Sequence, residues 1–509
     1  MVTANMSKRS SSLPPFCTIN FNCLFVRTAR YRYLPFREII TIMHLPFREY
    51  CVTICNIEGD GEMNLKRKAY SELLNWKNES KGSTALLIKG ARRVGKSYLC
   101  ELFGKAEYKS VITIDFSNAP AEIKDYFHNE AHDLDIFFNK LSAFYRTRLF
   151  KRDSLFVFDE VQRFPRAREL IKHLVADGRY DYIETGSLIS IKQNIKDIVI
   201  PSEEETIEMH PMDFEEFLWA MEDEATIPLI KQCYSLMKPL GQGLHRKVMN
   251  DFRQYMLVGG MPQSVLAYVR DKDFSASDRI KRRILSLYRE DITKYASGYE
   301  SKVTAIFDSL PGQLSKKEKK YKLSSLGKNV RLREYEDAFM WLSDAMVSNP
   351  CFNSTNPSVG LSLSLDHSTH KLYMSDTGLL VTHAFSDSNY SGNELYRSVL
   401  LDKLYINEGM LTENIVAQML RANGHRLFFY SRSDTNDRKN MMEIDFLIKK
   451  DGKISPVEVK SSVYKVHSSL DKFRRKFSRK LGDAYILNTK DVMIKDGVIH
   501  LPLYMTMLL

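Results

Sequence analysis

The run Gly90-Ala-Arg-Arg-Val-Gly95-Lys96-Ser97 constrains this chain more than any other feature. It satisfies G-x-x-x-x-G-K-[ST] at every fixed position. Thr84-Ala-Leu-Leu-Ile-Lys89 reads as a buried strand before it, and Tyr98-Leu-Cys-Glu-Leu-Phe103 as a helix after it. Glycines let backbone N–H groups curl around phosphate oxygens, and the start of a helix adds a favourable dipole. Gly90, Ala91, Arg92, Arg93, Val94, Gly95, Lys96 and Ser97 are therefore candidate nucleotide-binding residues. In such a loop the lysine contacts the β- and γ-phosphates and the hydroxyl holds Mg²⁺. The cofactors this implies are ATP and Mg²⁺.

A second element points the same way. Ser154-Leu-Phe-Val-Phe-Asp159-Glu160 is an apolar strand ending in two carboxylates. Asp159 is placed to hold Mg²⁺, and Glu160 to polarise an attacking water. Val111–Asp115 and Asp181–Ser187 read as further core strands. In a parallel sheet the C-terminal strand ends line the ligand crevice, so Thr185 or Ser187 is a candidate γ-phosphate sensor; either could equally cap a helix. No arginine finger is assigned: Arg92, Arg93 and Arg163 all lie near the motifs.

Together with Pro211-Met-Asp-Phe-Glu-Glu-Phe217, Val258-Gly-Gly-Met-Pro262, Asp291-Ile-Thr-Lys294 and Lys371-Leu-Tyr-Met-Ser-Asp-Thr-Gly-Leu-Leu380, these motifs resemble the prokaryotic AAA+-type ATP-binding proteins that carry a C-terminal domain of unknown function. The resemblance covers nearly everything from Met63 onward. It implies ATP binding by a cytoplasmic ATPase that is DNA-associated or regulatory.

The first 62 residues stand apart. They repeat Leu34-Pro-Phe-Arg-Glu38 as Leu45-Pro-Phe-Arg-Glu49, show no sustained period, and carry four of the seven cysteines. Cys51 and Cys55 lack the further ligands of a zinc site. Glu58-Gly59-Asp60-Gly61-Glu62 can be encoded by a purine-rich run of the kind that precedes bacterial start codons, which makes Met63 the expected initiator. The next segment, Asn64–Trp76, has a helical apolar face of Leu65, Tyr70, Leu73, Leu74 and Trp76.

Residues 226–300 read as helical with a break at Gly259-Gly260. Residues 301–350 have the rhythm of a helix-turn-helix: one helix near Lys302–Leu310 stopping at Pro311-Gly312, another over Leu332–Met346, and Lys371–Met374 as a wing strand. Lys316, Lys317, Lys319, Lys320, Lys322 and Lys328 lie between the helices and suit phosphate contacts or a solvated face.

The C-terminal region combines a helix near Thr412–Leu420, a strand Glu443–Ile448, a turn at Asp451-Gly452, and a returning strand Ile454–Lys460. Glu458 and Lys460 are two apart and share a face; pairing brings Asp445 beside them. Two carboxylates and a lysine can hold Mg²⁺ and activate water. The order resembles the PD-(D/E)XK restriction-endonuclease-like superfamily, which implies Glu413, Asp445, Glu458 and Lys460 as nuclease residues, with Asp445 and Glu458 as metal ligands. A fold retained for DNA or partner binding is the alternative. A further helix, Ser469–Lys480, sets Leu470, Phe473 and Phe477 against a basic remainder.

The expected fold is α/β multidomain: 1–62 a doubtful extension, 63–225 a P-loop parallel-sheet ATPase, 226–390 a helical lid and winged-helix-like region, and 391–509 a restriction-endonuclease-like domain. The net charge of +11 falls mostly after residue 62. Expected partners are ATP, with DNA, a partner protein and further copies of the chain as alternatives. No run approaches the ~18 apolar residues of a membrane span.

Overall fold

Five strands form the first sheet: β1 (Ala85–Lys89), β2 (Ser110–Asp115), β3 (Ser154–Asp159), β4 (Asp181–Gly186) and the polar edge strand β5 (Glu204–Glu208). Every pairing is parallel, in the order β2-β3-β4-β1-β5. β4 is buried throughout and β3 to its last residue, as strands covered on both faces must be. Helices α1 (Ala69–Ser80), α2 (Lys96–Glu107), α3 (Leu134–Tyr145) and α4 (Pro165–Asp177) accompany them. One packed cluster gathers Phe116, Phe127, Phe137 and Phe158.

This computed structural model describes residues 65–187, 202–316, 320–327, 331–358, 360–386, 394, 396, 408–432, 442–460 and 468–509. The extension 1–62, with Cys51 and Cys55, lies outside them, as do Lys317, Lys319 and Lys328. Asn64–Leu509 forms one unit. The helix expected from Asn64 begins at Ala69, and its Leu73 and Trp76 are buried as anticipated.

After the sheet come α5 (Phe214–Ala220), α6 (Thr226–Ser235), α7 (Gln242–Val258), α8 (Pro262–Asp271), α9 (Phe274–Tyr295) and α10 (Glu300–Leu314). Pro311 was expected to end a helix, yet α10 runs through it. A proline costs one backbone hydrogen bond there, and buried Leu310, Gln313 and Leu314 hold the turn in place. The second helix of the expected pair is shorter than predicted: Leu332–Glu334 is a 3₁₀ turn, and α11 spans Glu336–Asp344.

The expected wing strand is placed differently. Lys371–Met374 ends β7 (Leu365–Met374), which pairs antiparallel with β6 (Ser348–Ser354). Both belong to an eight-stranded sheet with β8 (Phe428–Arg432), β9 (Met442–Lys450), β10 (Lys453–Val459), β11 (Tyr485–Asn488), β12 (Met493–Lys495) and β13 (Val498–Pro502). Its order is β12-β13-β11-β10-β9-β8-β6-β7, so it draws strands from both sides of residue 390. Helices α12 (Thr377–Ala384), α13 (Glu408–Ala422) and α14 (Ser468–Phe477) complete this part.

Two of the glycine-bearing motifs meet in one close contact. Asp376 caps α12 by accepting from Leu379 N at 2.8 Å, and its second oxygen accepts from Gly260 N at 2.5 Å. A Cβ on Gly378 would lie 2.5 Å from the Gly259 backbone. Gly378→Ala should therefore lower stability by about 1–3 kcal/mol, the usual cost of overpacking. Gly312→Ala, where an added Cβ meets nothing within 4 Å, should not. Urea denaturation of the two variants checks the contrast.

Candidate functional site

The loop after β1 closes on α2. Gly95 precedes the helix with φ +98°, a conformation that favours glycine, and no side chain caps the helix start. The first N–H groups of α2 are thus left for an anion. Lys96 is 5% exposed and donates to the Gly90 carbonyl at 2.8 Å and the Ala91 carbonyl at 3.1 Å. Burial pulls its pKa down, with Glu160 and Asp159 opposing.

The C-terminal ends of β1, β3 and β4 converge beside this loop. Register aligns Ile88 with Thr185, and Phe158 with Glu184. Ser97 Oγ donates to Asp159 Oδ1 at 2.9 Å, and Thr185 Oγ1 donates to the same oxygen. Two hydroxyls and one carboxylate therefore meet at one point, a donor set that fits a hard divalent cation. Glu160 follows with φ +54° and accepts from Gln162 Nε2 at 2.5 Å. A left-handed glutamate is uncommon and gathers at functional sites. Ser187, one residue beyond β4, is buried.

Residues that sequence reasoning did not assign to the site come from α9. Asp291 accepts from Arg92 Nη1 at 2.6 Å, Tyr288 OH donates to the Arg92 carbonyl at 3.2 Å, and Arg163 lies 5.6 Å above the Tyr295 ring. Tyr288, Asp291 and Tyr295 share a helix face at i, i+3 and i+7. Arg92 and Arg163 are thus engaged within the chain, while Arg93 is exposed with φ +70°. That α9 belonged here was hinted only by its Asp-Ile-Thr-Lys motif.

Burial pushes Asp291 up to about 6, Arg92 pulling it down, Glu160 adding to the rise and Arg163 opposing it. The folded state therefore holds this proton more tightly than the unfolded chain. Asp291 consequently subtracts stability as pH rises from its ordinary 3.8 toward about 6, and adds no further slope above that. Asp291→Asn should lose this part of the pH dependence in urea unfolding between pH 4 and pH 7. An identical profile in both proteins would contradict the assignment.

In the second sheet, Asp445 on β9 accepts from Val459 N at 2.9 Å, and Lys460 lies 3.1 Å from Glu458. Burial raises the Glu458 carboxyl pKa, Lys460 opposing. Glu413 on α13 accepts from Tyr373 OH at 3.1 Å. The residue that gathers these groups is Lys371, fully buried on β7. Its ammonium is 2.9 Å from Glu443, 3.7 Å from Asp445 and 4.0 Å from Glu413. Burial alone would lower its pKa; the carboxylates outweigh that and raise it. Among the described residues, no group of three or more His, Cys, Asp or Glu is placed to hold a metal ion.

Lys320, expected among phosphate-facing lysines, lies 3.8 Å from Glu443. On α14, Leu470 and Phe473 are buried, while Arg475 and Lys476 are exposed, as are Arg479 and Lys480 beyond it. A cleft of about 430 Å³ is lined by Asp471, Arg474, Arg475, Ser478, Leu481 and Gly482.

Residues 82–218 match a family model described as an AAA domain. Residues 249–389 and 408–505 match two models, each described as a domain of unknown function (DUF8612 and DUF4143). No curated protein matches the chain. Among solved structures, a Walker-type ATPase of Pyrococcus abyssi is 15% identical over 63% of this chain and 96% of its own, with a TM-score of 0.36. Drosophila ORC bound to DNA is 12% identical over 63% and 96%, with a TM-score of 0.26. Cdc6p of Pyrobaculum aerophilum is 11% identical over 67% and 96%, with a TM-score of 0.22. Likeness at that level assigns no role. No helix among the described residues is long and apolar enough to cross a membrane. From the loop, the parallel sheet and the domain match together, the chain carries an AAA-type P-loop ATPase domain.

Proposed function

We propose that this protein hydrolyses ATP and uses its nucleotide state to switch a C-terminal module that binds DNA or a partner protein without cutting it. The observation that carries the ATPase reading is the meeting of Ser97 and Thr185 on Asp159, with Lys96 and the uncapped start of α2 beside them. Ser97 and Asp159 would hold Mg²⁺, which neutralises phosphate charge when bound. Lys96 would exchange its loop carbonyls for phosphate oxygens. Glu160 would orient and deprotonate water, with Gln162 fixing its carboxylate. Thr185, bonded to Asp159, would register the terminal phosphate.

Lys96→Ala should abolish ATP turnover. Glu160→Gln should keep ATP binding and slow turnover about 100- to 10,000-fold, the range of a general base. Phosphate release and nucleotide titration measure both; unchanged turnover in Lys96→Ala rejects the site.

Packed side chains support the coupling. α9 holds the nucleotide loop at Asp291 and, nearer its start, accepts at Asp278 from Thr382 Oγ1 (2.9 Å) and Tyr396 OH (2.7 Å). From α12, Thr377 N donates to Gln418 Oε1 on α13 at 2.8 Å. Asn414 Nδ2 on α13 donates to the Met374 carbonyl at 3.1 Å, beside Glu413.

Non-cleavage is favoured by the Lys371 ammonium among Glu413, Glu443 and Asp445, where a nuclease would use its carboxylates on a metal. The exposed cations of α14 suit a phosphate backbone. The free thiols Cys100, Cys233 and Cys351 suit the cytoplasm. With Arg92 and Arg163 engaged internally, a second copy would be the source of an arginine finger. DNA incubated with Mg²⁺ or Mn²⁺, with and without ATP, should be bound in a salt-sensitive manner and remain intact. Cleavage that disappears in Asp445→Ala and Lys460→Ala would establish the nuclease reading instead.

A further inference from the structure

The strand–loop–helix unit is held from outside by one arginine that no motif contains. Arg67 lies before α1 and is 8% exposed. Its guanidinium makes three contacts in three directions. Nη1 donates to the Val94 carbonyl of the nucleotide loop at 2.8 Å. Nη2 donates to the His210 carbonyl just beyond β5 at 2.7 Å. Nε donates to Glu216 Oε1 at 3.1 Å. Glu216 is itself fixed at the first turn of α5, donating its N–H to Asp213 Oδ1 at 2.9 Å while its carboxylate accepts from Asp213 N at 3.1 Å and Lys68 N at 2.6 Å.

The Val94 contact matters because a trans peptide is planar, with its C=O and the next N–H pointing opposite ways. Drawing the Val94 oxygen toward Arg67 turns the Gly95 N–H away from it. That N–H belongs to the set a phosphate-binding loop presents to its ligand. Gly95 has φ +98° and therefore little intrinsic preference for this orientation over others. An external donor must choose it. A planar fork can serve three acceptors at once; an ammonium on a flexible stem cannot hold the same three directions.

We propose that Arg67 is a positioning residue for nucleotide: it orients the Val94–Gly95 peptide for phosphate and locks the loop to the start of α5. This rests on the ATPase reading above. Arg67 touches neither Asp159 nor Glu160, so its role is in binding rather than in the bond-breaking step.

The test is steady-state ATP hydrolysis by the full chain, comparing wild type, Arg67→Lys, Arg67→Ala and Lys96→Ala, with thermal unfolding recorded for each. Arg67→Lys should fold and raise KM for ATP roughly 10- to 100-fold, the effect of losing one or two charge-assisted hydrogen bonds. Its kcat should stay within about threefold of wild type. If Arg67→Ala does not fold, Arg67→Lys decides alone. A wild-type KM in Arg67→Lys overturns the proposal. So does a fall in kcat at unchanged KM, which is what a smaller folded fraction produces. Unchanged turnover in Lys96→Ala would strike at the nucleotide site itself and the proposal with it. Loss in Lys96→Ala beside a wild-type KM in Arg67→Lys strikes at Arg67 only.

Discussion

A loop that turns its N–H groups toward a ligand must turn carbonyls away from it, and each carbonyl needs a donor. That constraint organises this molecule. The carbonyls of Gly90 and Ala91 accept from Lys96, that of Arg92 from Tyr288, and that of Val94 from Arg67. Just before the loop, the Lys89 carbonyl accepts from Met209 N at 2.7 Å. Lys96 aside, the donors come from the segment before α1, the turn after β5 and a helix nearly two hundred residues further on. The nucleotide loop is therefore a junction, and its shape depends on parts of the chain remote in sequence.

α9 extends that junction. Its last turns hold Arg92, while its first half is bonded to the region around α12. The Asp376 contact with Gly260 pins the α7–α8 turn to the same place. Any shift of the loop on nucleotide binding has a route through packed helices to the second sheet. That contiguity supplies elements that both ends can bias.

The parts legible in sequence were those whose chemistry is local. A phosphate loop, an apolar strand ending in Asp159-Glu160, and Thr185 at a strand end follow from contiguous residues, and the sheet register brings them together. Asp445, Glu458 and Lys460 were likewise readable from strand alternation. Arg67, Tyr288 and Asp291 were not, because each acts through a partner remote in sequence. Lys371 was the hardest. Its segment reads as a wing strand, and only the pairing of β7 with β6 carries its ammonium to carboxylates from β9 and α13. Pro311 misled for the opposite reason: a local rule predicted a stop, and packing on both sides outweighed it.

Amide hydrogen exchange tests the central claim, that nucleotide at the Ser97–Asp159–Thr185 end is felt at the second sheet. Exchange would be followed across the full chain with and without Mg²⁺ and ATP, using Lys96→Ala as the binding-deficient control. The account predicts that ATP changes protection in α9, in Lys371–Met374 and in Glu413–Gln418 as well as in the loop, and that Lys96→Ala removes every change. Protection confined to residues 82–218 would contradict it.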